Sequence, residues 1–252
     1  MGIFELIILG IIQGITEFLP ISSSGHLVIA QDLLGIKSPG NTLEILFHFG
    51  TLLSVIFVFF KDIKQIALSI NEKNTRLYIF YLILATIPAA FAGIFLKDYF
   101  LLLFDNVFMV GVALCVTGFL LVLSKRFKNQ QKKFSLTFSI LIGVTQALAI
   151  IPGISRSGST ISISMFLGVS SSDAAKFSFL LSIPVIFGAS ILGFLEIQSS
   201  EIFSSLNIFI AIFTAFITGV LALKILLKIL EAGKFYIFGI YCLFIGSVAM
   251  FL

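Results

Sequence analysis

A chain of 252 residues that is 59% hydrophobic and 11% charged, with a mean hydropathy of +1.16, is too apolar for a water-soluble domain, in which about 25% of residues are charged. It reads as an all-α polytopic membrane protein. The net charge of +4 is of the kind that Lys and Arg in cytoplasmic loops produce, so no nucleic-acid partner is inferred.

Residues 1–19 are apolar but carry Glu5, Gln13 and Glu17, and Pro20 ends the run. Glu5 falls near the membrane end and reads as interfacial. No basic residue precedes the run, so a cleaved signal peptide is not expected. The next apolar piece, 27–36, is short of the roughly 20 residues a bilayer helix needs. Two short helices broken over Pro20–Gly25 predict a re-entrant hairpin, 1–36. Its irregular backbone must be buried in protein or line a wet cavity. Spans follow at about 43–60, 77–96 and 106–124. Beyond the basic link 125–133 comes a second hairpin, 134–169, broken at Ile151-Pro152-Gly153, and then spans at about 177–195, 202–223 and 235–252. Pro88 and Pro184 lie inside spans and are expected to kink them. Cys115 and Cys242 sit in apolar runs and read as small buried hydrophobes, with no disulfide or metal framework. Thirty Phe and no Trp leave the Tyr residues as interfacial anchors.

The two hairpins are related. Setting 10–35 against 143–168 without a gap matches 8 of 26 positions, among them Gln13 with Gln146, Ser22 with Ser155, Ser24 with Ser157 and Gly25 with Gly158. A polar break at the same place, followed by three spans in each half, marks an internal duplication, 1–124 and 134–252. The links 61–76, 125–133 and 224–234 hold most of the basic residues, whereas only Lys37 and Lys97 lie in the opposite links. The positive-inside rule places the first group in the cytoplasm. The halves are then inverted copies whose breaks meet near the midplane, with the N-terminal hairpin and the C-terminus on the outer side.

Polar groups at membrane depth cost roughly 2.5–3.5 kcal/mol each when charged, so the breaks call for a chemical reason. Gln13 and Glu17 are spaced i, i+4 and share a helix face. They can hold a divalent cation, Mg²⁺ or Ca²⁺, through oxygen, or they can simply hydrogen-bond to each other. Ser22-Ser23-Ser24-Gly25-His26 offers hydroxyls and N–H groups at a helix start, which suit an anion such as phosphate or a plain cap. His26 adds a group that can take or give a proton near neutrality. His48, between Phe47 and Phe49, reads as packing or an outer contact. The second break, Pro152 to Thr160, contains Arg156, whose planar fork fits phosphate or an internal ion pair with Glu17. Ser155, Ser157, Gly158 and Ser159 surround it. One carboxylate, one imidazole, one guanidinium and a set of hydroxyls form an inventory for a phosphate ester or anhydride.

Gln-Gly-Ile-Thr-Glu-Phe-Leu-Pro-Ile-Ser-Ser-Ser-Gly-His (13–26) and Pro-Gly-Ile-Ser-Arg-Ser-Gly-Ser (152–159) resemble the two signature motifs of the undecaprenyl-diphosphate phosphatase family, the bacitracin-resistance proteins. The resemblance covers the whole chain. It implies dephosphorylation of a C55 isoprenoid diphosphate to the monophosphate carrier of cell-wall synthesis, in a bacterial plasma membrane. By motif position, Glu17, Ser23, His26 and Arg156 inherit catalytic roles. Ser22, Ser24, Gly25, Ser155, Ser157, Gly158 and Ser159 are expected to bind phosphate, and Gln13 with Glu17 the cation. The family's acidic motif begins with Glu or Gln; Gln13 leaves one carboxylate there. Ser23, His26 and water all remain open as the nucleophile. The expected partners are the lipid diphosphate, the bilayer and a second copy as a homodimer. A lipid phosphatase of the acid-phosphatase type is excluded, because it needs a later His and none follows His48. The rival reading is a transporter or flippase of a phosphorylated lipid or anion, since inverted repeats with broken helices also build carriers.

Overall fold

The computed structural model describes residues 2–34, 42–96, 106–126, 131–196 and 204–251. Among them all regular structure is helical: α1 Ile3–Phe18, α2 Ser23–Leu34, α3 Thr42–Val58, α4 Phe60–Leu68, α5 Lys73–Phe95, α6 Val107–Leu123, α7 Leu136–Leu148, α8 Arg156–Phe166, α9 Ser171–Glu196, α10 Ser205–Glu231 and α11 Ile237–Ala249. Among the described residues four helical stretches are long and apolar enough to cross a membrane, Lys73–Phe95, Val107–Arg126, Ser171–Leu195 and Ser205–Glu231, with a fifth where the bent pair α3–α4 is counted as one span. This is a multi-pass membrane protein.

Both hairpins are broken where Pro and Ser dictate. Leu19, before Pro20, is pushed out of the helical region to φ −60°, ψ 139°, which ends α1. Ser22 sits at φ +68°, and its Oγ accepts from the Gly25 N–H at 3.3 Å, capping α2. At the second break Gly153 takes φ +95°, and Ser155 Oγ accepts from the Gly158 N–H at 3.1 Å, capping α8. The prolines in the spans leave α5 and α9 as single helices through Pro88 and Pro184.

Several boundaries differ from the sequence expectation, with α5 starting at Lys73 and not at 77 and α9 at Ser171 and not at 177, and three further differences have a plain cause. The span expected over 43–60 turns by 66° at Phe59, and the chain stays helical to Leu68 instead of becoming a link. The α4 sequence explains the turn: Ile63 and Ile66 pack against the core while Lys61 and Lys64 are exposed, a pattern that suits a membrane surface. Helix α10 does not stop at 223. It runs to Glu231 because Leu226 and Leu230 remain buried while Lys224 and Lys228 point outward. The last span is shorter than expected, 13 residues from Ile237, because the turn at Gly233, φ +68°, precedes it. Parts of the expected segments that fall at 35–41, 97–105, 127–130 and 197–203 lie outside the described residues.

Small residues bring the helices together. A Cβ on Gly14 of α1 would stand 2.6 Å from the Ala215 carbonyl oxygen of α10. Gly111 and Gly118 of α6 would likewise meet the carbonyls of Gly246 and Gly239 on α11, at 2.7 and 2.8 Å. Such close approach is how helices pack when water supplies no hydrophobic drive between them. Aromatics fill the interior: Phe18 meets Phe179 edge-on at 5.8 Å, and Phe134 stacks on Phe177 at 4.1 Å. The outward faces are apolar too. Leu206, Phe209, Phe213, Ile217, Leu221 and Ile225 form an exposed stripe at helical spacing along α10, a surface fit for lipid and not for water. Cys115 and Cys242 are free thiols, Cys242 buried and Cys115 half-buried.

Candidate active site at the two helix breaks

The two breaks lie against each other. Ser22 Oγ accepts from the Gly153 N–H at 3.1 Å, and a Cβ on Gly25 would come within 3.1 Å of Gly153 Cα. In turn, a Cβ on Gly158 would come within 3.1 Å of Pro20 Cβ. Side chains in place of these glycines would pry the breaks apart. Thr117 of α6 pins the second break from behind: its hydroxyl donates to the Gly153 carbonyl at 2.9 Å and accepts from the Ser155 N–H at 3.1 Å.

Glu17, in the last turn of α1, is the hub. Arg156 donates from Nη2 to its Oε1 at 2.5 Å, with the side chains 15% and 6% exposed respectively. Ser23 donates from Oγ to Oε2 at 2.6 Å, and Gln13 donates from Nε2 to the same oxygen at 3.1 Å. Both alternatives left open by the sequence, the Gln13–Glu17 hydrogen bond and the Arg156–Glu17 ion pair, are thus present. Low local dielectric strengthens such a pair, and removing one member strands a charge. His48 also reaches this group, with Nδ1 3.1 Å from Gln13 Nε2 and 3.7 Å from Glu17 Oε2. It is therefore an outer contact of the carboxylate, not mere packing.

His26 faces a different way. Its Nδ1 lies 2.9 Å from the Ser22 carbonyl and its Nε2 lies 2.9 Å from the Tyr241 hydroxyl on α11. The hydrogen bond of the Ser23 hydroxyl goes to Glu17.

The hydroxyls divide into two sets. Ser22, Ser155, Ser157 and Ser159 are buried; the Ser22 and Ser155 hydroxyls cap backbone N–H groups, and Ser157 Oγ lies 3.3 Å from Ser155 Oγ. Gly25 and Gly158 serve close approach. Ser23, Ser24, His26 and Arg156 are only partly buried, so the polar side chains within reach of a ligand come from both breaks.

Two buried atoms have no hydrogen-bond partner here: Arg156 Nη1 and Gln13 Oε1. An unpaired buried donor or acceptor costs about 1–3 kcal/mol, and a ligand would relieve both. An incoming phosphate suits Nη1. A hard cation suits Gln13 Oε1, but the Glu17 oxygens are already taken by donors. No group of three His, Cys, Asp or Glu side chains gathers at one point among the described residues. The set fits a cation that arrives with substrate phosphates as its main ligands, and does not fit a cage made by protein alone.

A multi-pass helical protein in which a buried carboxylate meets a partly buried guanidinium and a serine hydroxyl, with an imidazole in the same helix break, belongs to the class equipped for phosphate chemistry on a membrane substrate. Residues 6–248 match the family described as bacitracin resistance protein BacA, and the chain belongs to that family. It is 44% identical over 257 residues to a Halothermothrix orenii protein named undecaprenyl-diphosphatase, covering 100% of this chain and 98% of that one. Proteins of the same name from Desulforapulum autotrophicum, 40% identical over 99% of this chain and 98% of their own, and Methanococcus vannielii, 41% identical over 97% of each, are similar along their length. The resemblance carried by 13–26 and 152–159 is borne out.

Proposed function

We propose that this protein hydrolyses undecaprenyl diphosphate to undecaprenyl phosphate and inorganic phosphate, recycling the lipid carrier for cell-wall synthesis and conferring bacitracin resistance. The observation that carries the chemistry is the chain Arg156–Glu17–Ser23, in which a hydroxyl donates to a carboxylate at 2.6 Å while a guanidinium holds the other carboxylate oxygen.

The terminal phosphate binds to Arg156, whose Nη1 is unpartnered, and draws the guanidinium off Glu17. Glu17, relieved of part of its pairing, takes the Ser23 proton as Ser23 Oγ bonds to the terminal phosphorus. The bridging P–O bond breaks, and the lipid monophosphate leaves with the electron pair. Water then attacks the phosphoserine, with His26 as the proton acceptor, and phosphate departs as Glu17 returns the proton to Ser23. Arginine offsets the charge that develops on the transferring group. Gln13, through its unpaired Oε1, and the Glu17 oxygen that Arg156 vacates would hold a divalent cation, Mg²⁺ or Ca²⁺, that would neutralise phosphate charge when bound. Ser24, partly buried in the same turn and 3.3 Å from Ser22 Oγ, contributes a donor to the phosphate.

The site is formed by inverted halves, and the close contacts support this. A shift of 133 pairs Gly25 with Gly158 and Pro20 with Gly153; Gly25 rests on Gly153 while Gly158 rests on Pro20. The helix pairs α1–α10 and α5–α7, which a two-fold exchange of halves would swap, both pack closely. Basic links in the cytoplasm put the N-terminal hairpin and the C-terminus outside. A homodimer is compatible with the lipid-facing apolar surfaces.

Purified protein in detergent should release inorganic phosphate from a C55 isoprenoid diphosphate without any membrane gradient, and Ser23→Ala should stop it. Transport of the lipid or of an anion into vesicles, with no phosphate released in detergent, would establish the carrier reading instead.

A further inference from the structure

We infer that Tyr241 is a positioning residue for His26, an inference that rests on the catalytic reading of His26 given above. The Ser22 carbonyl can only accept, so its 2.9 Å contact with Nδ1 places a proton on Nδ1. In neutral imidazole the other nitrogen then carries a lone pair, and the Tyr241 hydroxyl, 2.9 Å from Nε2, donates to it. The rings lie nearly parallel, 11° apart with centroids at 5.6 Å. Tautomer and ring orientation are therefore both fixed, which is what a proton acceptor needs before a water can be activated.

Each anchor is itself held. Ser22 is fixed at φ +68°, with its Oγ accepting from N–H groups of both breaks. Tyr241 rides on α11, which the paired glycines lock against α6. Its position 215 residues beyond His26 means that the second half of the chain aims the imidazole of the first. Tyr241 is 40% exposed, so an incoming water can replace its hydroxyl at Nε2 without unpacking the core.

The chain has two histidines, so ¹⁵N-histidine labelling in detergent gives two imidazoles, and His26→Gln assigns them. In the wild type His26 should show a protonated Nδ1 and a hydrogen-bonded, unprotonated Nε2. Tyr241→Phe keeps the ring and removes the donor. Its Nε2 resonance should move to that of an imidazole nitrogen with no donor, while kcat falls about tenfold, equal to about 1.4 kcal/mol, and KM stays within about twofold. Wild-type values for both, or a moved Nε2 resonance with unchanged kcat, overturn the inference. The underlying reading fails separately: His26→Gln with wild-type turnover removes His26 from catalysis altogether. Loss of activity in His26→Gln beside an unaffected Tyr241→Phe refutes only the role of Tyr241.

Discussion

Breaking the Glu17–Arg156 pair from either side tests the centre of the site, because stability and activity should respond differently. Glu17→Gln leaves the guanidinium, 15% exposed, without its anion. Arg156→Met leaves a carboxylate with only Ser23 and Gln13 as donors. Removing one member of a fully buried pair costs about 3–5 kcal/mol, since the partner's desolvation is no longer offset; with Arg156 partly exposed the loss here should fall at or below the lower end of that range. The double variant strands no charge, so a coupling of about 2–3 kcal/mol should appear in the cycle. Activity should not follow. Each single change removes either the acceptor of the Ser23 proton or the phosphate clamp, a loss of at least about 100-fold, and the double variant should be no better. Unfolding in mixed micelles titrated with denaturing detergent, beside phosphate release at saturating substrate, reads both quantities. A coupling below about 0.5 kcal/mol, or a double variant that regains activity with stability, would refute the reasoning.

Two further outcomes follow from the packing and the surface. Gly153→Ala should lower stability by about 1–3 kcal/mol and weaken activity with it, since φ is +95° and the new Cβ would stand 2.5 Å from the Val110 carbonyl oxygen of α6; unchanged thermal stability would show that the second break is not packed closely against α6. Lys176→Ala removes an ion pair with Asp62 whose members are 36% and 31% exposed, so stability should change by less than about 1 kcal/mol and phosphate release should match the wild type.

Much of the site was legible because charge and breaks are costly in a membrane. Glu17 and Arg156 are conspicuous in apolar sequence for that reason, and Pro20 and Pro152-Gly153 mark where helices must stop. The i, i+4 spacing sufficed to pair Gln13 with Glu17, because residues on one helix have known neighbours. The 133-residue shift likewise relates the two breaks along the chain. Partners across helices carry no such signature. Nothing around Tyr241 marks it as the residue that meets His26. Thr117 and His48 gave only a weak sign, a polar side chain inside an apolar span.

The sequence by itself therefore determined the class of the molecule, the hairpins, the motifs and their family, since hydropathy, helix-breaking residues and repeat spacing act locally along the chain. Only the tertiary structure decided how the polar inventory is divided. It assigned Ser22 and Ser155 to capping their own breaks, gave Ser23 to Glu17, and turned His26 toward α11. The physical reason is that a buried hydroxyl or imidazole takes whichever partner packing brings within about 3 Å, and packing here is set by glycines that let distant backbones touch.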